Sequence, residues 1–443
     1  MNIFNSNYVR KFTDYPETRK NNSNMESLTA KIIEYQVENT NTSYDNNYQV
    51  TESIWDKTIF HDGSIIYNCD NLAVLKSLPD NSVDSIVTDP PYSINFQGHK
   101  WDSSLPTIEL WKEVFRVIKP GGHLLSFGAS KTYHRMASLV EDAGFIIRDQ
   151  IMWVYGSGFP KSNNISKAID KYLASKSFVT VEGLLNLEPI QNESEFIPVS
   201  EEAMKWNGYG TNLKPAHEPI VLAMKPCSEK TFAKNILRWG TGALNIDGSR
   251  IGSETRTTPI HSDDVKDDTT MFGLNKTIQH HREETTEGRW PANIILDEEA
   301  GQILDEQSGI IKGGKAMKPF KGKPKNNINF TSGVTQINRI GYNDIGGASK
   351  FFYCPKASSK DRNEGIQKNK HPTVKPTELM KYLIRLVTPR NGIVLDPFFG
   401  SGSTGKAALR DGNFKFIGIE KEKEFCEIAI GRCKNELQKY SKI

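Results

Sequence analysis

The chain predicts an α/β domain built on a parallel sheet and interrupted by a long insertion. Two observations carry this. Short apolar runs alternate with stretches of helical spacing as far as Val154, and the same alternation returns after about residue 370. Between them the rhythm is lost.

Ser64–Cys69 (SIIYNC) is a short apolar strand, and Asn71–Leu78 has helical spacing in Leu72, Leu75 and Leu78. Val83–Thr88 (VDSIVT) is a second buried-type strand, ending at Asp89-Pro90-Pro91-Tyr92. A helix over Leu110–Ile118 stops at Pro120-Gly121-Gly122, and a strand His123–Phe127 follows. Another helix, Tyr133–Ala143, ends at Gly144 and feeds the strand Ile146–Val154. After the interruption come helix Thr377–Thr388, strand Ile393–Asp396, helix Ser403–Arg410, strand Phe414–Glu420 and a terminal helix from Glu424. From Tyr155 to about Lys370, Gly, Asn, Ser, Thr and Lys dominate, with apolar islands at Glu218–Ala223 and Asn293–Asp297. Asn186–Ser200 and Ser253–Thr270 read as mobile lengths. Residues 1–50 hold ten asparagines and read as poorly ordered, apart from one amphipathic stretch, Met25–Gln36.

With 443 residues there is room for a large-cored domain and a second module. No apolar run approaches the roughly 20 residues that cross a bilayer. The first residues lack a basic-then-apolar leader pattern, which points to a cytoplasmic protein without a membrane role. Five scattered cysteines form no CxxC pair, so neither a disulfide framework nor a zinc site is expected. A formal net charge of +3 does not by itself indicate nucleic acid, so any basic surface must be local.

Asp396-Pro397-Phe398-Phe399-Gly400-Ser401-Gly402 follows an apolar strand and opens a helix. Glycines there allow a tight turn and a close backbone approach to a ligand. Glu420 ends the next strand, where a carboxylate can take both hydroxyls of a ribose. Gly400, Gly402 and Gly405 have GxGxxG spacing, but Asp396-Pro397-Phe398 leads into them, and GxxxxGK[ST] fails at Ala407, so an adenosine ligand without a pyrophosphate is the expectation. In Asp89-Pro90-Pro91-Tyr92, two prolines fix φ and remove two N–H donors. The Asp89 carboxylate and the outward carbonyls are then acceptors suited to an NH2 group, and Tyr92 offers a flat stacking surface.

These residues carry a family resemblance. Asp89-Pro90-Pro91-Tyr92 resembles motif IV of the DNA amino-methyltransferases, and Phe398-x-Gly400-x-Gly402 resembles their motif I. His371-Pro372-Thr373-Val374-Lys375-Pro376 looks like motif X. Motif IV preceding X and I is similar to the β-class, a circularly permuted form of the Rossmann-like class I methyltransferase fold. The resemblance covers roughly residues 54–226 and 370–435.

It implies S-adenosylmethionine as cofactor, held by Asp396, Phe398, Gly400 and Gly402. Glu420 takes the ribose, Asp70 lies near the adenine ring, and Thr373 and Lys375 lie beside the methionine part. Catalysis falls to Asp89, Pro90, Pro91 and Tyr92, acting on a flipped base in double-stranded DNA without a covalent intermediate or a metal. Adenine N6 is the first target, because N4-cytosine enzymes often carry Ser in place of Asp89; N4-cytosine methylation and an inactive DNA-binding protein are the alternatives. A C5-cytosine enzyme would need a cysteine after motif IV, whereas Pro226-Cys227 follows another strand.

The implied organisation has four parts: an extension over 1–53, a catalytic half over 54–226 with a loop insertion at 156–216, a target recognition domain over 227–350, and a cofactor half over 351–443. Lys312, Lys315, Lys318, Lys321, Lys323 and Lys325 form a basic run suited to phosphate contacts, and Arg238, Trp239, Arg250 and Arg256 precede it. Whether the protein is a homodimer, or has a cognate restriction enzyme, the resemblance leaves open.

Overall fold

The computed structural model describes residues 56–94, 98, 100–158, 162–176, 196–258, 284–312, 345–355 and 360–440. Met25–Gln36, His280-His281 and the lysines from Lys315 to Lys325 lie outside them. The described residues fall into two compact units. One draws on Met1–Asp149, Val221–Asn245 and Ser358–Ile443, the other on Gln150–Ile220 and Ile246–Ala357.

In the first unit, strands β1 (Asp56–Ile59), β2 (Ile65–Asn68), β3 (Val83–Thr88) and β4 (Ile118–Phe127) come first in the chain. The start of β5 (Ile146–Val154), the end of β6 (His217–Met224), and strands β12 (Ile393–Asp396) and β13 (Lys415–Glu420) complete its sheet, in the order β1-β2-β13-β12-β3-β4-β6-β5. β2, β13, β12, β3 and β4 run parallel, and β1 is antiparallel to β2. β3 and β12 are buried along their whole length, as expected of strands covered on both faces. They are neighbours, with Val394 beside Ser85 and Leu395 beside Ile86. The sheet order therefore reverses direction between them: β3 leads on to β4 on one side, and β12 to β13 on the other. A crevice at the carboxyl ends of two such strands is where open α/β sheets take their ligands.

Helix α1 (Asn71–Ser77) is capped by the Asp70 carboxylate, which accepts from Ala73 N at 3.2 Å. Helix α2 (Ile108–Val117), capped by Thr107, buries Leu110, Trp111, Val114 and Val117 at helical spacing. Helix α3 spans Tyr133–Asp142. Helices α4 (Ile165–Lys176), α5 (Glu201–Lys205), α6 (Phe232–Trp239) and α7 (Glu298–Ser308) lie in the middle of the chain; α8 (Thr377–Val387) is buried on most of its surface, α9 (Ser403–Asp411) packs on it, and α10 (Lys423–Tyr440) packs on α9.

Two expectations need correction. The Pro120-Gly121-Gly122 triplet does not separate helix from strand but lies inside β4, and the pairing with β3 is irregular there. Its backbone finds partners elsewhere: Gly121 N donates to Lys225 O, Gly122 O accepts from Lys225 N, and Pro120 O accepts from Asn235 Nδ2 and Thr241 Oγ1. Secondly, Ser253–Thr258 is not a loop. It belongs to β7 (Ile251–Thr258), antiparallel to β8 (Glu284–Arg289) in the second unit. The pairing is rich in threonine, polar in composition but β-branched and at ease in strands. The same unit holds β9 (Ile294–Leu296), parallel to the end of β5, and helix Glu298–Ser308 capped by Asp297.

Behind α9, charged side chains are buried together. Lys406 is 0 % exposed and bonds the Asp361 and Glu364 carboxylates at 2.7 and 2.8 Å. Glu436, 1 % exposed, takes Arg410 at 2.8 Å and Lys439 at 3.1 Å. Removing one partner of such a cluster strands the others. Glu436→Ala should therefore cost about 3 kcal/mol or more in denaturant unfolding. Asp80→Ala, which removes a partner 68 % exposed from Arg116, should cost less than about 1 kcal/mol.

Candidate active site at the carboxyl ends of β3 and β12

The turn after β3 is held from outside. The buried Asp102 carboxylate accepts from the backbone N–H groups of Tyr92, Ser93 and Ile94 at 2.6, 2.9 and 3.2 Å. Thr132 Oγ1 donates to the Tyr92 carbonyl at 2.8 Å. With two prolines also fixing φ, the position of Asp89 is determined by the backbone rather than by its own rotamer alone. The Tyr92 hydroxyl donates to Asp89 Oδ1 at 2.5 Å, and Lys375 Nζ donates to Asp89 Oδ2 at 2.7 Å.

The turn after β12 is built on a second carboxylate. Asp396, buried, accepts from Thr88 Oγ1 and Thr404 Oγ1 at 2.6 Å each, and from Phe398 N at 3.1 Å. Burial pushes its carboxyl up to about 6, against these hydrogen bonds. Thr88 immediately precedes Asp89, so this bond ties the two turns together. Gly400 and Gly402 have φ of 50° and 76°, in the left-handed region. Gly400 N donates to Glu420 Oε2 at 2.7 Å, and Glu422 N to Glu420 Oε1 at 2.8 Å. Burial lifts the Glu420 carboxyl to about 7, more than those two N–H groups hold it down. Phe399 points the other way and stacks on Phe416, with centroids 5.5 Å apart, while Phe398 packs on the edge of the core.

Of the residues singled out from sequence, Asp89, Tyr92 and Lys375 meet one another, as do Asp396, Gly400 and Glu420. Asn71 Nδ2 donates to the Pro397 carbonyl at 3.1 Å, so α1 begins beside the second group. Asp70 itself is exposed and caps α1. The Thr373 carbonyl shares a hydrogen bond with His371 Nδ1 at 2.5 Å, and burial drags that imidazole down to about 4, so it stays neutral near pH 7. Sequence reasoning missed Asp102, Thr132 and Arg432. Arg432 is fully buried and donates to Ser401 O at 2.6 Å and Ser401 Oγ at 3.0 Å, bracing the glycine turn from behind. Its signal was faint: an arginine three residues after Ala429 on the apolar face of α10. For Asp102 there was none.

A side chain at Gly402 would be strained twice over. Its Cβ would lie 2.8 Å from Ala429 Cβ, and its φ costs an L-residue about 1–2 kcal/mol. Gly412 shares the φ of 76° but faces open space. Gly402→Ala should thus destabilise by at least about 1 kcal/mol more than Gly412→Ala, overpacking being the difference, as read by chemical denaturation.

A family model described as DNA methylase matches residues 83–431. Type II methyltransferase M.HindIII of Haemophilus influenzae is 24 % identical over 410 residues, which cover 83 % of this chain and 94 % of that enzyme. Type II methyltransferase M.ScaI of Streptomyces caespitosus is 30 % identical over 107 residues, 24 % of this chain and 34 % of its own. The chain is also similar to that of the crystal structure of an M1.HpyAVI-SAM complex, with 20 % identity, a TM-score of 0.36, and 83 % of this chain and 97 % of that one covered. A glycine turn in left-handed conformation, closed by a strand-end carboxylate, suits the adenosine moiety of S-adenosylmethionine, the methyl donor of the family. The chain belongs to the N6/N4 DNA methylase family.

Proposed function

We propose that the protein methylates the N6 atom of adenine in double-stranded DNA, within a specific sequence and on a base flipped out of the helix. The observation that carries this reading is the Asp89 carboxylate, fixed by the Asp102-pinned turn directly beside Asp396. The amino nitrogen of adenine is a poor nucleophile because its lone pair is delocalised into the ring. Accepting its N–H groups on Asp89 and on the Pro90 carbonyl favours a pyramidal nitrogen with a directed lone pair, and Pro91 keeps the turn rigid. The Tyr92 ring stacks on the flipped base. S-adenosylmethionine, when bound, supplies a methyl group on a sulfonium. The new N–C bond would form as the sulfonium S–C bond breaks, leaving a neutral thioether, and the methylated nitrogen would release one proton to solvent, so no covalent enzyme adduct is required.

On this reading Asp396, Phe398, Gly400 and Gly402 line the cofactor pocket, and Glu420 accepts the ribose hydroxyls. Asp70 stands near the adenine ring and Thr373 near the methionine part. The chain is a circularly permuted class I enzyme whose residues 227–350 supply target recognition. Lys312 and the lysines that follow it take the phosphate contacts.

The carboxylate is also the reason for choosing adenine over cytosine, since N4-cytosine enzymes similar to this family often place serine there. Incubation with labelled cofactor and mixed-sequence duplex, followed by nucleoside separation, should put the label in N6-methyladenine. Label in N4-methylcytosine overturns the base assignment, and label in 5-methylcytosine overturns the mechanism as well. No label in DNA would point to an inactive binding protein.

The two carboxylates should separate in calorimetric titration. Asp89→Ala should abolish transfer while keeping cofactor binding, whereas Glu420→Ala should weaken cofactor binding by about 1.5–3 kcal/mol. Ribose hydroxyls donate best to an ionised carboxylate. Cofactor affinity should therefore rise as pH rises through the Glu420 value of about 7. The gain is up to about tenfold between pH of about 6 and about 8, and Glu420→Ala should flatten it.

A further inference from the structure

Lys375 sits where a second role is built in. Its side chain is 8 % exposed and that of Asp89 is 21 % exposed. The ammonium lies 2.7 Å from Asp89 Oδ2, 3.2 Å from the Tyr92 hydroxyl, and 4.9 and 5.5 Å from the ring centroids of Phe127 and Tyr92. The lysine is delivered by a stiff strap. Pro376 follows it, and Thr377 is locked by both its N–H and its hydroxyl onto Asp361, which the buried Lys406 holds in turn. A long, flexible side chain is thus ordered from both ends, and its charge is spent on one carboxylate and two aromatic rings.

We propose that Lys375 is a positioning residue for the target base: it orients the Asp89 carboxylate toward the incoming amino group. This rests on the reading of Asp89 as the acceptor of the target amino group, and it holds for adenine and cytosine alike. A carboxylate offers about four acceptor positions. Asp89 can therefore keep the ammonium and the Tyr92 hydroxyl and still accept an N–H from the base. The pair is neutral as a whole, so the acceptor is supplied without a net charge beside the cationic donor of the methyl group. An ammonium left unpaired there would repel that donor. The methionine part of the cofactor is the other conceivable partner for this lysine, and the two roles have opposite signatures.

The test uses the full-length protein, S-adenosylmethionine and a cognate duplex. Lys375→Met keeps the length of the stem and removes the charge, and Lys375→Arg keeps the charge. Thermal midpoints establish that both variants are folded. Misplacing a reacting group by about 1 Å can cost 10²-fold in rate. In single-turnover transfer at saturating cofactor, Lys375→Met should slow by about 10²-fold, with cofactor affinity changed less than about threefold and partial recovery in Lys375→Arg. Added to Asp89→Asn, which keeps an acceptor oxygen and a measurable residual rate, Lys375→Met should slow transfer no further, because its effect passes through that carboxylate. A large loss of cofactor affinity with normal transfer at saturation would assign Lys375 to the cofactor and overturn the proposal. So would equal slowing with and without Asp89. If Asp89→Ala alone transferred methyl at the wild-type rate, the underlying reading of Asp89 would fail, which Lys375→Met by itself does not test.

Discussion

The parallel pairing of β3 with β12 is the constraint on which the site depends. These strands lie about three hundred residues apart in the chain, yet Ser85 faces Val394 across a ladder buried on both sides. Their ends are joined by one short hydrogen bond, from Thr88 to Asp396. That bond ties the last residue before the Asp89 turn to the residue that opens the glycine turn. A one-residue slip would turn the inward side chains of the ladder to the opposite face, so the register is held by the core and not by the site. The consequence is a fixed spacing between the Asp89 turn and the glycine turn, which on the proposed reading receive the base and the nucleoside. Fixed spacing is what a direct transfer between two bound molecules requires.

Buried charge makes that spacing stiff. Burial alone would raise Glu364, but its hydrogen bonds from Lys406 and Lys439 outweigh this and hold it down at about 2. Asp361 and Glu436 are lowered in the same way, against their own burial. Such a cluster is costly to desolvate and is not the cheapest route to stability. What it provides is direction. Asp361 reaches Thr377 at the start of α8, Lys406 reaches Asp361 from α9, and Arg432 reaches the Ser401 carbonyl from α10. Three helices behind the sheet are thereby keyed to the strap carrying Lys375 and to the glycine turn. Apolar packing, being non-directional, would hold them less specifically.

The sheet was legible because its strands obey a simple rule. Buried parallel strands are short and rich in branched apolar residues, and Ile65–Asn68, Val83–Thr88 and Ile393–Asp396 announce themselves by their Ile, Val and Leu. The two carboxylate turns were legible because proline and glycine mark backbone geometry directly. Where partners lie far away in sequence, that kind of signal is missing. Pro120-Gly121-Gly122 looks like a stop but is completed by Lys225, a hundred residues on. β7 and β8 were concealed by their polar threonines, whose strand preference shows only when a second strand is present. Asp102 looks like a surface residue until three amide groups are found pointing at it.

Lys375 shows the same limit at the level of charge. Its motif, by resemblance, places it beside the methionine part of the cofactor. Its surroundings are set by Phe127 and Tyr92, whose rings face the ammonium, and by Asp89, whose carboxylate completes the pair. All three lie more than two hundred residues earlier in the chain. They are brought there because β3 and β4 are neighbours and β12 closes against β3. The topology that creates the crevice therefore also decides which charges meet inside it. A neutral acceptor pair at the end of β3 and a glycine turn at the end of β12 are two products of a single strand pairing.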